Sequence, residues 1–123
     1  MSQPLATRVA LLRLLAPGGW HSGANLAARL GLTRAAVWKQ VQGLTGWGVA
    51  ITTRRSLGYR LSEPLHLLDA ARLRDLLGPS AAGSEVEVFD TLPSTNAHLV
   101  AGIAAGRGAG VCLAEHQSAG RGR

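Results

Sequence analysis

The chain has 123 residues, with thirteen Lys and Arg against seven Asp and Glu for a formal charge of +6, one cysteine and four histidines. That length allows one ordinary domain or two small ones. A single cysteine excludes a disulfide framework, and His21, His66, His98 and His116 are scattered without metal-ligand spacing, so neither a disulfide-stapled secreted scaffold nor a metal centre is expected.

The charge is unevenly placed. Up to Pro64 eight basic residues face Glu63 alone, whereas from Leu65 onward five arginines face six acids. This asymmetry suits a basic nucleic-acid module at 1–64 joined at 65–123 to a part with another task, although a solvated basic face gives a similar count.

Leu5, Val9, Leu12 and Ala16 make one helical stripe over Pro4 to Ala16, widened by Leu11 and Leu15, and Pro17-Gly18-Gly19 stops it. Arg13 interrupts the apolar run and no small-residue cleavage pattern follows, so neither a signal peptide nor a membrane span is supported; a cytoplasmic protein is the default. Trp20 and His21 read as a short extended link.

Ser22 caps a helix with Leu26, Ala27 and Leu30 on its buried side, ended by Gly31. Thr33 caps the next, with Val37, Val41 and Leu44 inward and Arg34, Trp38, Lys39 and Gln42 outward. Gly43 costs about 0.5–1 kcal/mol relative to Ala, and Gly46 is placed as a C-terminal cap near Thr45. Two short helices around a tight turn make a helix-turn-helix, although small helical hairpins of other kinds share the pattern.

No acidic side chain lies between Met1 and Leu61 to repel DNA. With this helix in a major groove, Thr33 and Arg34 are DNA contacts near its N-terminal end, Gln42 suits an adenine edge, Arg34 a guanine or a phosphate, and Lys39 a phosphate. Trp38 reads equally as a DNA contact or as cover for the core.

Val49 to Thr53 and Tyr59 to Ser62 are β-prone runs around Arg54-Arg55-Ser56-Leu57-Gly58, a hairpin with a basic tip. Helix-turn-helix plus hairpin is a winged helix. Arg54 and Arg55 can follow a phosphate backbone or enter a minor groove. Glu63-Pro64 marks the domain boundary, because the residue before Pro avoids helix.

Asp69 caps a helix to Leu77, with Leu73, Leu76 and Leu77 expected inside and Gly78-Pro79 as the stop. Glu85 to Asp90 alternates as a strand with Val86 and Val88 inward. Leu92-Pro93-Ser94-Thr95-Asn96 leads into a helix bearing Leu99, Val100 and Ile103. Its polar start can cap the helix, the commoner use, or offer hydroxyls, an amide and free N–H groups to a ligand. Gly110 to Glu115 reads as a strand buried on both faces, with Cys112 in the core. Alternating Gly and Arg at the end gives a mobile loop whose guanidiniums can fold over a phosphate or carboxylate, or simply a loose terminus.

In this order and separation, Leu92-Pro-Ser-Thr-Asn96, Ala114-Glu-His-Gln117 and Ala119-Gly-Arg-Gly-Arg123, behind Thr33-Arg-Ala-Ala-Val-Trp-Lys39 and Gly58-Tyr-Arg-Leu61, resemble the bifunctional biotin protein ligases that double as biotin operon repressors. The resemblance implies an α+β chain: a winged helix-turn-helix at 1–64, then the start of a catalytic α/β domain at 65–123. It implies that Ser94, Thr95, Asn96 and Gln117 contact biotin. Gly120, Arg121, Gly122 and Arg123 would begin the loop that orders over biotin and biotinyl-5′-AMP, with Arg121 and Arg123 the catalytic candidates.

The implied reaction is attack of the biotin carboxylate on the α-phosphate of ATP, with Mg expected alongside the nucleotide. Biotin is then transferred to a lysine of the biotin carboxyl carrier protein of acetyl-CoA carboxylase. Fixed guanidiniums suit the charge that builds on phosphate oxygens, and no general base is needed among the histidines. Operator DNA, homodimerisation of the complete protein and biotinyl-5′-AMP as corepressor follow from the same resemblance.

The family's Lys-Trp-Pro-Asn-Asp motif, the rest of its sheet and its small β-barrel have no counterpart here. A piece of roughly 60 residues is marginal as a core. The expectation is therefore a fragmentary ligase, inactive alone, with a DNA-binding regulator lacking ligase activity as the alternative.

Overall fold

Ser22 and Thr33 each hold an extended backbone and accept, on the side-chain oxygen, an N–H from the helix that follows: Asn25 at 3.0 Å and Ala36 at 3.1 Å. These caps satisfy orphan donors at the two helix starts. The computed structural model describes residues 2–81 and 84–122, without the side chains of 2–4, 80 and 81. The chain divides into two compact units, Met1–Leu67 and Leu68–Arg123.

In the first unit α1 (Ser2–Leu15), α2 (Gly23–Leu30) and α3 (Arg34–Gly46) precede an antiparallel hairpin of β1 (Ile51–Arg54) and β2 (Gly58–Leu61). Leu11, Leu12 and Leu15 of α1 meet Leu26 and Ala27 of α2, Val37, Val41 and Leu44 of α3, and Leu61 of β2 in one buried cluster. The largest wholly buried side chains, Leu11, Leu15, Leu26, Leu44, Val9 and Val37, all lie in this unit. Each contributes roughly 1.5–3 kcal/mol of transfer free energy.

Gly31 ends α2 in the left-handed region at φ 65°. The α3 terminus differs from expectation: the helix runs through Gly46, Trp47 caps it in right-handed conformation, and the positive φ of 89° falls at Gly48. Three-centre bonding explains the extra residue, since the Trp47 N–H donates to both Gly43 and Leu44 carbonyls and leaves the reversal to Gly48. At Gly43 the Arg8 side chain crosses the helix so closely that an added Cβ would lie 2.2 Å from its Cζ. Arg8 Nε donates to Gln40 Oε1 at 3.1 Å, and its guanidinium stands 5.1 Å from the Trp47 ring centre.

The link before α2 becomes part of the wing. His21 and Tyr59 exchange two backbone hydrogen bonds, of 2.9 and 2.8 Å, as an antiparallel bridge. Gly58 permits this, because at φ 96° an added Cβ would sit 2.1 Å from the His21 carbonyl oxygen. Leu65 donates its N–H to Ala16 and Leu67 packs against the core, so the first unit reaches three residues beyond Pro64. Three helices, two of them capped, a tight turn and the hairpin make it a winged helix-turn-helix, and with the strands and helices that follow the chain is α+β.

The second unit opens with α4 (Ala70–Leu77), capped by Asp69 Oδ1 accepting from the Arg72 N–H at 3.1 Å, and a 3-10 turn at Gly78–Ala81. β3 (Glu85–Leu92), α5 (Thr95–Ala104) and β4 (Gly110–Gln117) then form a βαβ unit whose strands pair in parallel, from Glu85 opposite Gly110 to Leu92 opposite Gln117. Arg74 Nη2 donates to the Val86 carbonyl at 2.6 Å, and the Leu68 N–H donates to the Glu115 carboxylate. His98 Nε2 and Arg107 Nη1 lie 3.1 and 3.4 Å from Glu87 Oε1, tying α5 and its outgoing loop to β3.

Burial here departs from expectation. Val86 and Cys112 are buried, but Leu76 is 75% and Leu77 44% exposed, and Val111 of the supposedly two-sided strand β4 is 46% exposed. A sheet of two strands, with α5 packed on β4 and α4 touching β3, leaves apolar positions with nothing to pack against. Burial and the neighbouring Glu87 carboxylate push the Cys112 thiol up, so it remains a neutral core thiol. Among the described residues no helix is long and apolar enough to cross a membrane, and no group of three or more His, Cys, Asp or Glu is placed to hold a metal ion.

Candidate functional site

Burying Val37, Val41 and Leu44 turns the opposite side of α3 outward, so Thr33, Arg34, Trp38, Lys39 and Gln42 are all exposed. Trp38, which the sequence leaves open between DNA contact and core cover, lies outside the core with 54% of its surface exposed. Arg34 borders an open cleft of about 450 Å3 whose other walls are the α2 start at Ser22 and Gly23 and the wing from Thr53 to Tyr59. Arg54 and Arg55 line the same cleft from the hairpin, Arg54 at the end of β1 and Arg55 in the turn. Three guanidinium-bearing residues thus rim one concave surface between helix and wing, a setting that favours a polyanion.

Sequence reasoning missed two neighbours of that surface. The Trp20 ring centre stands 4.7 Å from Arg60 Cζ and 5.9 Å from Arg54 Cζ. The signal available was the strand alternation, which puts Arg60 on the hairpin face opposite Tyr59 and Leu61. What the alternation lacked was the His21–Tyr59 bridge, which delivers Trp20 to that face.

A second cluster forms at the carboxyl ends of the parallel strands, the usual ligand position in open α/β sheets. β3 passes through Pro93 into α5, where Ser94 Oγ accepts from the Ala97 N–H at 3.2 Å and so caps the helix. Gln117, at the end of β4, brings its side-chain oxygen to this helix start, accepting from the Thr95 N–H at 2.8 Å and from Thr95 Oγ1 at 3.1 Å. Asn96 is exposed on the first turn. The Ser118 and Ala119 N–H groups donate to the Leu92 and Pro93 carbonyls, folding the chain after β4 back over the β3–α5 connection.

At Gly120 an added Cβ would approach the Gln117 side chain to 3.0 Å, so glycine lets the backbone pass close to the carboxamide. Gly122 and Arg121 are exposed beyond it, and Arg123 lies outside the described residues. The structure thus brings Ser94, Thr95, Gln117 and Gly120 together. Polar groups, a helix start and a close backbone approach share one corner, an arrangement able to fix a small polar ligand.

Residues 7–60 match the family model described as an HTH domain. Over 113 residues, 92% of this chain, the sequence is 44% identical to the bifunctional ligase/repressor BirA of Salmonella typhimurium and 43% identical to that of Escherichia coli. Over 117 residues it is 34% identical to the protein of the same name from Bacillus subtilis. The chain spans 34% of the length of the first two relatives and 36% of the third.

Proposed function

We propose that this chain is the N-terminal third of a bifunctional biotin protein ligase and biotin-responsive repressor. The winged helix would read operator DNA, and the βαβ unit would supply the first wall of the biotin pocket. One observation carries the ligase half: Gln117 and Thr95, 22 positions apart, meet at the carboxyl edge of the strands through two hydrogen bonds to one oxygen. Similarity to ligase/repressors along nearly the whole chain supports joining the two halves in one protein.

In this reading Ser94, Thr95, Asn96 and Gln117 hold biotin, while Gly120, Arg121, Gly122 and Arg123 belong to the loop that closes on it. ATP would supply the adenylyl group that activates the biotin carboxylate: the carboxylate oxygen bonds to the α-phosphorus as its bond to the β-phosphate oxygen breaks, and pyrophosphate leaves. The part played by Arg121 and Arg123 is to hold fixed positive charge against phosphate oxygens as negative charge builds there. The carboxyl carrier protein is the acceptor, the location is the cytoplasm, and homodimerisation belongs to the whole protein, where two copies can engage two half-sites of a palindromic operator.

A direct test incubates a longer product of the same reading frame with biotin, labelled ATP and a carrier domain. Biotinyl-adenylate and biotinylated carrier are expected, and loss of both in Gln117→Ala would tie the chemistry to this corner. Absence of adenylate from the longer product would refute the ligase half; operator binding indifferent to biotin and ATP would then identify a DNA-binding regulator alone.

A further inference from the structure

The register of the wing places Thr52 opposite Arg60 and Arg54 opposite Gly58. Arg54 and Arg60 are therefore diagonal neighbours on one face, with Thr52 and Ser62, whose hydroxyls lie 3.1 Å apart. Ile51, Tyr59 and Leu61, on the alternate face, pack with the core, so the arginine face looks away from it. Like charges this close on a strand pair repel. Among the described residues neither guanidinium has a carboxylate partner.

Both lie over the Trp20 ring instead, Arg60 Cζ 4.7 Å and Arg54 Cζ 5.9 Å from its centre. A cation–π contact to an indole occupies no hydrogen-bond acceptor, so a guanidinium over the ring has N–H donors left for another acceptor, and the fork of those donors matches a phosphate. Arg60 Nε is shut away from solvent without an acceptor, so the donors left to Arg60 are its terminal NH2 groups. Two unneutralised cations on one aromatic platform await a partner that carries repeated negative charge.

We propose that this outer face of the wing is a phosphate-binding surface for duplex DNA, with Arg54 and Arg60 as paired contacts and Trp20 as the positioning residue that holds them together. It rests on the DNA-binding reading above and extends the contact beyond α3 and the hairpin turn. The duplex backbone fits because its charges repeat along a line, so two adjacent arginines each release condensed counterions.

The test titrates the full chain and its Trp20→Phe, Trp20→Ala, Arg60→Lys and Arg60→Gln variants against operator and random duplexes at several salt concentrations, with thermal melts to check folding. Arg60→Gln is expected to weaken binding several-fold on every sequence and to lower the log–log salt slope by about one unit, while Arg60→Lys keeps the slope. Trp20→Ala is expected to weaken binding although no charge is lost, and Trp20→Phe to restore most of it, because a phenyl ring also supports the cation–π contact. Unchanged affinity and slope in Arg60→Gln, with the parent chain still binding, would overturn the proposal and leave the DNA reading standing. Equal losses in the two Trp20 variants would overturn the positioning role. A parent chain that binds no duplex would remove the DNA reading and this surface with it.

Discussion

The two units bury their apolar residues to very different degrees. In the first, three helices and a hairpin converge on one cluster in which Leu11, Leu15, Leu26, Val37 and Leu44 are fully enclosed. In the second, Val100 and Ile103 of α5 remain 57% and 68% exposed, and Leu76 stands three-quarters in solvent. Yet the local signals are equally good in both, since Asp69 and Ser94 cap their helices as well as Ser22 and Thr33 do. Capping is decided within four residues, whereas burial is decided by what else is there to pack against.

The contrast breaks most visibly under core truncation. Leu26→Ala is expected to cost about 2–5 kcal/mol, while Leu76→Ala changes stability by less than about 0.5 kcal/mol. Amide hydrogen exchange followed separately over the two units would show this, with Leu26→Ala loosening the first unit only. Comparable losses for both variants would mean that Leu76 packs where the structure leaves it bare.

Gly58→Ala comes next. It forces a positive φ on an L side chain and drives Cβ into the His21 carbonyl, so about 1–3 kcal/mol of strain adds to the loss of the His21–Tyr59 bridge. Loss of exchange protection at the His21 and Tyr59 amides is the expected signature.

In the second unit Gln117→Ala removes the acceptor of both Thr95 donors, with a cost of about 0.5–1.5 kcal/mol per hydrogen bond. Faster exchange at Thr95, Ser118 and Ala119 would mark it, and an unchanged pattern would show that the corner is held by backbone alone.

Gly43→Ala should have the smallest effect. Better helix propensity, worth about 0.5–1 kcal/mol, is offset by displacing Arg8 from Gln40 and Trp47, so melting temperature stays nearly constant. A clear rise would show that Arg8 contributes little.

What the sequence made legible follows the same division. The four caps, the inward faces of α1 to α3 and the hairpin were readable because period and capping chemistry are local. The end of α3 is expected near Thr45 with Gly46 as its cap, but the helix runs through Gly46 and the reversal falls at Gly48, after Trp47 has bonded back to the helix. Burial of Leu76 and Leu77 was expected from an apolar stripe, which states a preference and supplies no partner. Ser94 and Thr95 stand out in the sequence as a polar helix start, and Gln117 enters through the motif resemblance. Their meeting was not legible, because it depends on a parallel register that pairs Leu92 with Gln117. Trp20 escaped notice for the same reason, since its place beside Arg60 depends on a bridge between residues 21 and 59.

The central claim is that the exposed face of α3 reads sequence while the arginines around it supply sequence-independent attraction. Titrating the chain and Gln42→Ala against a duplex from upstream of biotin biosynthesis genes, and against a random duplex of equal length, tests it most directly. The account predicts tighter binding to the first duplex, a loss of about 1–3 kcal/mol there in Gln42→Ala, and little change on the random one. Equal affinity of the parent chain for both duplexes, with Gln42→Ala indistinguishable from it, would contradict the account.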